Sequence, residues 1–376
     1  MKILLSPDSF KGTLTAREVC EIGGRVCEKY GFEHIELPLS DGGEGLCACL
    51  SSILQGEFIK CRVTGPFFGE MTEAAYYMTD GGTAIIEMAQ CAGLPLALGR
   101  ENPLTATTYG VGEIMLNAKE RGAKSILLGL GGSATNDCGT GMAQALGYKF
   151  YDENGNELCG TGAALSKIKS IVKPCEPFSL PVRAACDVTN PLYGESGAAF
   201  VFAGQKGADR QCIEELDRGL CSFALVMKNY LHCDVAALPG AGAAGGLGAG
   251  VVAFLKGELR SGIDIVLDES KFDEKLGLCD AVITGEGRLD SQSVNGKVIS
   301  GVCKRAVRQN KMIITVCGCS GEGYERAREI GVEKMYFSSK EKRPFDEIKK
   351  SCKSDLERAF EEAVKELSAA KGRKAE

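Results

Sequence analysis

Strand-like and helix-like segments alternate at both ends of this chain and lose that order in between, which restricts the fold more than any single motif. Lys2–Leu5 reads as a short buried strand. Ala16, Val19, Cys20, Gly23, Val26, Cys27 and Tyr30 then recur at helical spacing behind an N-cap at Thr13 or Thr15. Gly31 ends that helix, residues 34–39 form a second strand, and another helix runs over residues 44–54. From Cys279 the alternation returns, with buried-type strands at Ala281–Thr284, Met312–Cys317 and Lys334–Phe337. The last helix carries Phe345, Ile348, Cys352, Leu356, Ala359, Val364 and Leu367 at helical spacing. Two strands at one end and three at the other are each too few for a doubly wound domain, but together they make a sheet of ordinary size. The expected architecture is therefore α/β in two domains. A Rossmann-like parallel-sheet domain takes both termini, residues 1–62 with 275–376, and residues 63–274 form an inserted α/β domain with a mixed sheet.

Within the insertion, residues 57–88 read as successive β segments turning at Gly65-Pro66 and Asp80-Gly81-Gly82. A helix with Val111, Ile114, Met115 and Ala118 on one side leads to a strand at 125–130. Residues 147–151 and 180–185 are β-like, and helices are expected at 210–230 and Ala243–Leu255.

At 376 residues the chain is too long for one ordinary domain, and 44% hydrophobic with 25% charged residues is a globular composition. The net charge of -6 argues against nucleic acid, whose phosphates call for a basic face. No apolar run is long enough to span a membrane, and Met1-Lys2 leads directly into strand sequence, so no membrane partner and a cytoplasmic location are expected. The 18 cysteines are scattered through predicted helices and strands as small hydrophobes, which reads as reduced thiols. Only two histidines, His34 and His232, are present, and both fall at element boundaries. A Ser-His-Asp hydrolase or multi-histidine zinc enzyme is thereby disfavoured, leaving chemistry based on Asp, Glu, Lys and Mg²⁺.

Several polar loops follow predicted strands, where ligands of open α/β sheets bind. Residues 6–13 place Asp8 and Lys11 between hydroxyls after the first strand; a helix cap beside a solvated lysine explains them equally well. Ser40-Asp41-Gly42-Gly43-Glu44-Gly45 sets two acids among glycines, suiting a metal or a polyhydroxylated ligand, although Asp-Gly also marks ordinary turns. Residues 129–137 are sharper. There a strand enters Gly131-Gly132, then Ser133, Thr135 and Asn136 ahead of a helix, exposing amides where phosphate binds. The loop lacks the lysine of a Walker A motif. Gly245 and Gly246 lie in a second Gly-rich entry to a helix, which close helix packing explains almost as well as nucleotide binding. Asp187 ends an apolar strand, where a carboxylate takes a proton, holds Mg²⁺, or merely caps a turn before Pro191. Gln205-Lys206 adds a cation on a Gly-flanked loop, and Thr284, Glu286 and Asp290, with Ser291, Ser293 and Lys297, follow another buried strand.

Taken in order, SPDSFKGTLTA, SDGGEG, GLGGSATND, ACDVTNPL, QKGA, GAAGGLG and TGEGRLDSQS resemble the glycerate kinase family of the bacterial type-1 class along essentially the whole chain. The resemblance implies two domains with the active site in their cleft, ATP and Mg²⁺ as cofactors, and phosphorylation of D-glycerate, 2-phosphoglycerate being favoured over 3-phosphoglycerate. On that basis Gly131, Gly132, Ser133, Thr135 and Asn136 are expected to hold ATP phosphates, with Gly245, Gly246, Thr284 and Glu286. Asp187, Glu286 and Asp290 are candidates for Mg²⁺. Lys11 and Lys206 are candidates for the glycerate carboxylate or the transferring phosphoryl group, with Asp41, Glu44, Asn190, Gln205 and Asp290 also set among the substrate contacts. Asp187 is the first choice for the base that orients the attacking hydroxyl, and Asp8 the second. A homodimer is compatible with the sequence.

One departure from the family pattern is Cys138, where glycine is common after SATND; a left-handed backbone there would strain the cysteine. Two other functions compete. An NAD-dependent hydroxy-acid dehydrogenase needs a dinucleotide fingerprint after the first strand, and residues 6–12 contain none. A catalytically silent sugar-acid binding protein would keep the cleft without the turnover.

Overall fold

The computed structural model describes residues 1–40, 45–294, 296–339, 341 and 343–373. It is α/β and divides into two compact units, Met1–Asp41 with Ile263–Glu376 and Gly42–Gly262. The first unit opens with strand β1 (Lys2–Leu5), helix α1 (Ala16–Lys29) and strand β2 (Glu33–Glu36). Thr15 is the N-cap of α1. Its hydroxyl accepts the Glu18 N–H at 3.2 Å and the Glu18 carboxylate accepts the Thr15 N–H at 3.0 Å, a reciprocal capping box. Thr13, the other cap considered, instead donates to the Phe10 carbonyl.

The second unit carries a six-stranded mixed sheet: β3 (Gly56–Thr64), β4 (Met71–Thr79), β5 (Thr83–Glu87), β6 (Ser125–Gly129), β7 (Val182–Ala185) and β8 (Glu258–Arg260). Each strand lies beside its predecessor in this series, antiparallel up to β5 and parallel from β5 to β8. Strand β3 pairs with β4 over its whole length, so it belongs to this unit although it begins before residue 63. Residues 149–151, within a segment expected as β, lie in a separate three-stranded sheet. Helix α2 (Leu46–Ser51) is shorter than expected, and residues 41–44 at its entry lie outside the described residues. Helices α3 (Tyr109–Glu120), α4 (Thr140–Ala145), α5 (Arg210–Leu231) and α6 (Ala243–Leu255) complete the main elements. Phe150, Phe223 and Phe254 meet in the core with ring centroids about 6 Å apart.

The first unit resumes with β9 (Ala281–Thr284), α7 (Val298–Arg308), β10 (Met312–Cys317), β11 (Lys334–Phe337) and α8 (Phe345–Arg373). The strands of its five-stranded sheet are all parallel, in the order β11-β10-β9-β1-β2. From β1 the chain moves to β2 on one side, and the later strands add on the other, so the direction of winding reverses between β1 and β9. Ile3, Leu5, Ile283, Ile314 and Val316 face Val26 of α1 and Phe360 and Val364 of α8 in one buried cluster. The front of the α8 stripe departs from expectation: Phe345 is 54% exposed, while Leu356, Ala359 and Val364 are buried.

All eighteen cysteines are free thiols. Among the described residues no helix is long and apolar enough to cross a membrane.

Candidate active site

Most of the side chains the sequence singles out gather in two pockets, one in each unit. The first unit's pocket, about 400 Å³, is lined by Asp8, Lys11, Glu286, Arg288, Asp290 and Lys297 among others. These residues follow β1 and β9, and Gly318 and Ser338 bring in the ends of β10 and β11. The pocket therefore opens at the carboxyl edge of the parallel sheet, across the reversal in winding, where such sheets bind ligands. Backbone bonds hold the two loops together: the Asp8 N–H donates to Gly285 O at 2.8 Å, and Thr284 Oγ1 donates to Ser6 O at 2.8 Å. Thr284 is buried in that bond and does not line the pocket. Asp290 closes a local turn, accepting the Gln292 N–H at 2.9 Å while its own N–H donates to Ser293 Oγ.

Glu286 is the least comfortable group in this pocket. It is 8% exposed, and its Oε1 is buried without a hydrogen-bond partner among the described residues. Burial raises its carboxyl above the ordinary range; Ser293 and Lys297 oppose the rise, and the like charges of Asp8 and Asp290 add to it. An orphaned buried oxygen beside a second carboxylate suits Mg²⁺, which uses one or two carboxylates and keeps several waters.

The second unit's pocket, about 350 Å³, is lined by Gly131, Gly132, Ser133, Asp187, Gln205 and Lys206 among others. It lies at the carboxyl ends of β6 and β7. Lys206 is 2% exposed, and its Nζ donates to Ser133 Oγ at 2.8 Å and to Thr135 O at 2.7 Å. Both partners are neutral, so burial pushes the ammonium down to about 7, against the attraction of Asp137. Asp187 is exposed, with Oδ1 accepting the Gly262 N–H at 2.8 Å.

Asp137 shapes the loop that Lys206 braces. Wholly buried, it accepts the Thr108 N–H and hydroxyl at 2.8 and 2.7 Å and the Gly139 and Gly141 N–H groups at 3.1 and 3.2 Å. Thr135 and Asn136 are buried in the same turn and do not line the pocket; Thr135 Oγ1 and both amide atoms of Asn136 have no hydrogen-bond partner among the described residues. Gly245 and Gly246 lie behind this turn. Ala244, Gly245 and Gly246 all have left-handed backbone, and a Cβ at Gly245 would collide with Thr135 O. These glycines permit close backbone packing, while Ala243 and Ala244 line the pocket.

The family model for glycerate kinases matches residues 3–368. A glycerate kinase of Bacillus cereus is 42% identical over 371 residues, 95% of each chain. A glycerate 2-kinase of Escherichia coli K12 is 43% identical over 348 residues, 89% of this chain and 90% of the relative. A crystal structure assigned as glycerate kinase 2 from Salmonella typhimurium LT2 superimposes with a TM-score of 0.86 at 37% identity, covering 99% of both chains. The chain belongs to the glycerate kinase family. It is a kinase.

Within this glycerate kinase fold, the expected site residues separate by unit. Asp8, Lys11, Glu286 and Asp290 share the first pocket, and Gly131, Gly132, Ser133, Asp187, Gln205 and Lys206 share the second. Of the trio Asp187, Glu286 and Asp290, Asp187 belongs to the second unit and the other two to the first. Among the described residues no three acidic, histidine or cysteine side chains come together in a metal-holding group. Asn190 lies outside both pockets, its Nδ2 donating to Ser196 O at 2.8 Å. Asp41 and Glu44 lie outside the described residues. Sequence reasoning missed Asp137, although an Asp just before a helical run is a cap-type signal. It also missed Phe345 as a pocket residue, because a helical stripe reads as core.

Proposed function

We propose that this kinase transfers the γ-phosphoryl group of ATP to the 2-hydroxyl of D-glycerate, giving ADP and 2-phosphoglycerate in the cytoplasm. The observation that carries this reading is Lys206, a buried cation fixed by Ser133 and Thr135 on the wall of the pocket that also holds Asp187. Phosphoryl transfer asks a protein chiefly for positioning and for charge opposite the transferring group. Lys206 supplies that charge, and the amides of Gly131, Gly132 and Ser133 offer donors beside it. Asp187 accepts the proton of the attacking hydroxyl as the new O–P bond forms and the bond to the ADP oxygen breaks. Its hydrogen bond from the Gly262 N–H to Oδ1 helps to orient the carboxylate. Lys11 is assigned to an anionic group of the substrates, and Asp8 beside it is the second choice of base.

Glu286 and Asp290 are the residues that would hold Mg²⁺, which when bound neutralises charge on phosphate oxygens. The 2-position is favoured because the Escherichia coli relative is named for it.

The test is incubation of the purified protein with Mg-ATP and D-glycerate, with products followed by phosphorus NMR. ADP and a phosphoglycerate resonance split into a doublet by one carbon-bound proton is the expected result. A triplet would move the phosphate to the 3-position. Glycerate binding without any phosphorylated product would replace the kinase by a sugar-acid binding protein.

A further inference from the structure

The first unit's pocket has a wall that the chemistry of glycerate leaves unexplained. Phe345 begins α8 and is 54% exposed, an unusual state for a large aromatic, yet it lines the pocket. Ile348 and Cys352 follow at three and seven residues, on the same helical face, and line it too. Phe10, 4% exposed, adds a second ring to the lining. The pocket also carries Lys11, Arg288 and Lys297. Apolar aromatic surface and several cations in one cavity suit a ligand with a flat face at one end and multiple negative charges at the other.

A local device brings these two characters together. Gly12 has φ +81, and a Cβ there would lie 2.8 Å from Cζ of Phe345. The tip of the ring therefore rests on the turn that follows Lys11, a contact that a side chain at position 12 would obstruct. Glycerate bears oxygen on every carbon and has no flat apolar face to offer such a wall. A purine nucleotide has both a stacking face and a phosphate chain, and the carboxyl edge at a winding reversal is where open α/β sheets take nucleotides.

We infer that the first unit's pocket binds the purine base of the nucleotide substrate, with Phe345 as the stacking surface and Ile348 and Cys352 as its apolar flank. This rests on the ATP-dependent reading and adds to it a residue that determines nucleotide affinity. Base–aromatic stacking is sequence-tolerant and strong enough to be read by a single substitution.

The test is fluorescence titration of the full chain with a methylanthraniloyl derivative of ADP, alongside steady-state kinetics. Phe345→Ala is expected to weaken binding of the ADP derivative by about 10- to 100-fold. KM for ATP should rise while KM for glycerate stays put. Phe345→Trp keeps a stacking face, so near-normal binding by that variant shows that the position tolerates substitution without loss of fold. If Phe345→Ala binds the derivative as well as wild type while turnover with ATP and glycerate persists, the base assignment is overturned and the kinase stands. If wild type neither binds the derivative nor turns over, the ATP reading falls and this inference falls with it.

Discussion

Lys206 Nζ stands 2.8 Å from Ser133 Oγ, and this neutral partnership, not an ion pair, holds a buried lysine in the wall of the second unit's pocket. Its ammonium is pushed down to about 7 by burial, from an ordinary 10.5. An arriving phosphate or carboxylate favours the charged form and raises that value again. Substrate binding at pH 8 is therefore expected to take up protons, and Lys206→Met should abolish the uptake. Calorimetry in buffers of different ionisation enthalpy reads it directly. Heats of binding that do not depend on the buffer would show that Lys206 is charged before the anion arrives.

The same group has a signature in stability. Between pH 7 and 10.5 the unfolded lysine holds its proton and the folded one has lost it, so the unfolded state binds more protons and stability rises with pH. The buried thiols act in the opposite sense once unfolded cysteines ionise near pH 9. The useful window is therefore pH 7 to 8.5, and the comparison is wild type against Lys206→Met. Wild type should gain stability on the variant as pH rises through this window. Parallel curves would place the native value of Lys206 well above it.

Asp187 has one oxygen committed to the Gly262 N–H, and an asparagine can still accept that bond. Asp187→Asn should preserve the melting temperature while lowering kcat by about 10²- to 10⁴-fold, the range in which general-base groups act. KM for glycerate should change little. Near-normal turnover would transfer the role of base elsewhere, with Asp8 the next to test.

Glu286 and Asp290 are the pair assigned to Mg²⁺, and Glu286 contributes a buried oxygen with no hydrogen-bond partner among the described residues. Chelation of divalent ions should stop turnover, and readdition should restore it. Glu286→Gln and Asp290→Asn should each raise the Mg²⁺ concentration for half-maximal activity, by about tenfold or more if each supplies a ligand. Unchanged Mg²⁺ dependence in both variants would remove the metal from this pocket.

Sequence rhythm was enough to place the parallel sheet of the first unit, because β9 and β10 are short runs buried on both faces and β11, half-buried at the sheet edge, repeats their strand-then-helix order. The polar blocks were legible as sites for a similar reason: acids, cations and hydroxyls crowd the ends of those strands. What stayed hidden depends on neighbours distant in sequence. Residues 244–246 read as helix, yet they are left-handed because the backbone of 135–138 lies against them. The sequence around Lys206 shows a cation on a loop and nothing of its burial, since lysines in such settings are usually solvated. Phe345 and Ile348 continue the spacing of a core stripe, but the core ends before the first turn of α8. Only the three-dimensional position of a pocket separates them from Leu356 and Val364.

Cys138 turns the departure from the family pattern into a measurable strain. Its φ is 54°, within the left-handed region, and it is fully buried with its N–H donated to Gly245 O at 3.0 Å. A left-handed backbone costs a non-glycine residue about 1–2 kcal/mol. Burying a small sulfur-bearing side chain returns about 1 kcal/mol, and replacing it by glycine adds about 0.4–1 kcal/mol of unfolded-chain entropy. Relief of strain and loss of packing therefore nearly cancel, and Cys138→Gly should lie within about 1 kcal/mol of wild type. Cys138→Val keeps the left-handed demand and adds a branch at Cβ beside Gly246, whose own Cβ position is 3.0 Å from the Cys138 Cα. It should lose about 2–3 kcal/mol. Urea unfolding at constant m-value gives both numbers. A valine variant as stable as wild type would mean that the turn relaxes out of the left-handed region, and the packing of 245–246 against it would then have to give way as well.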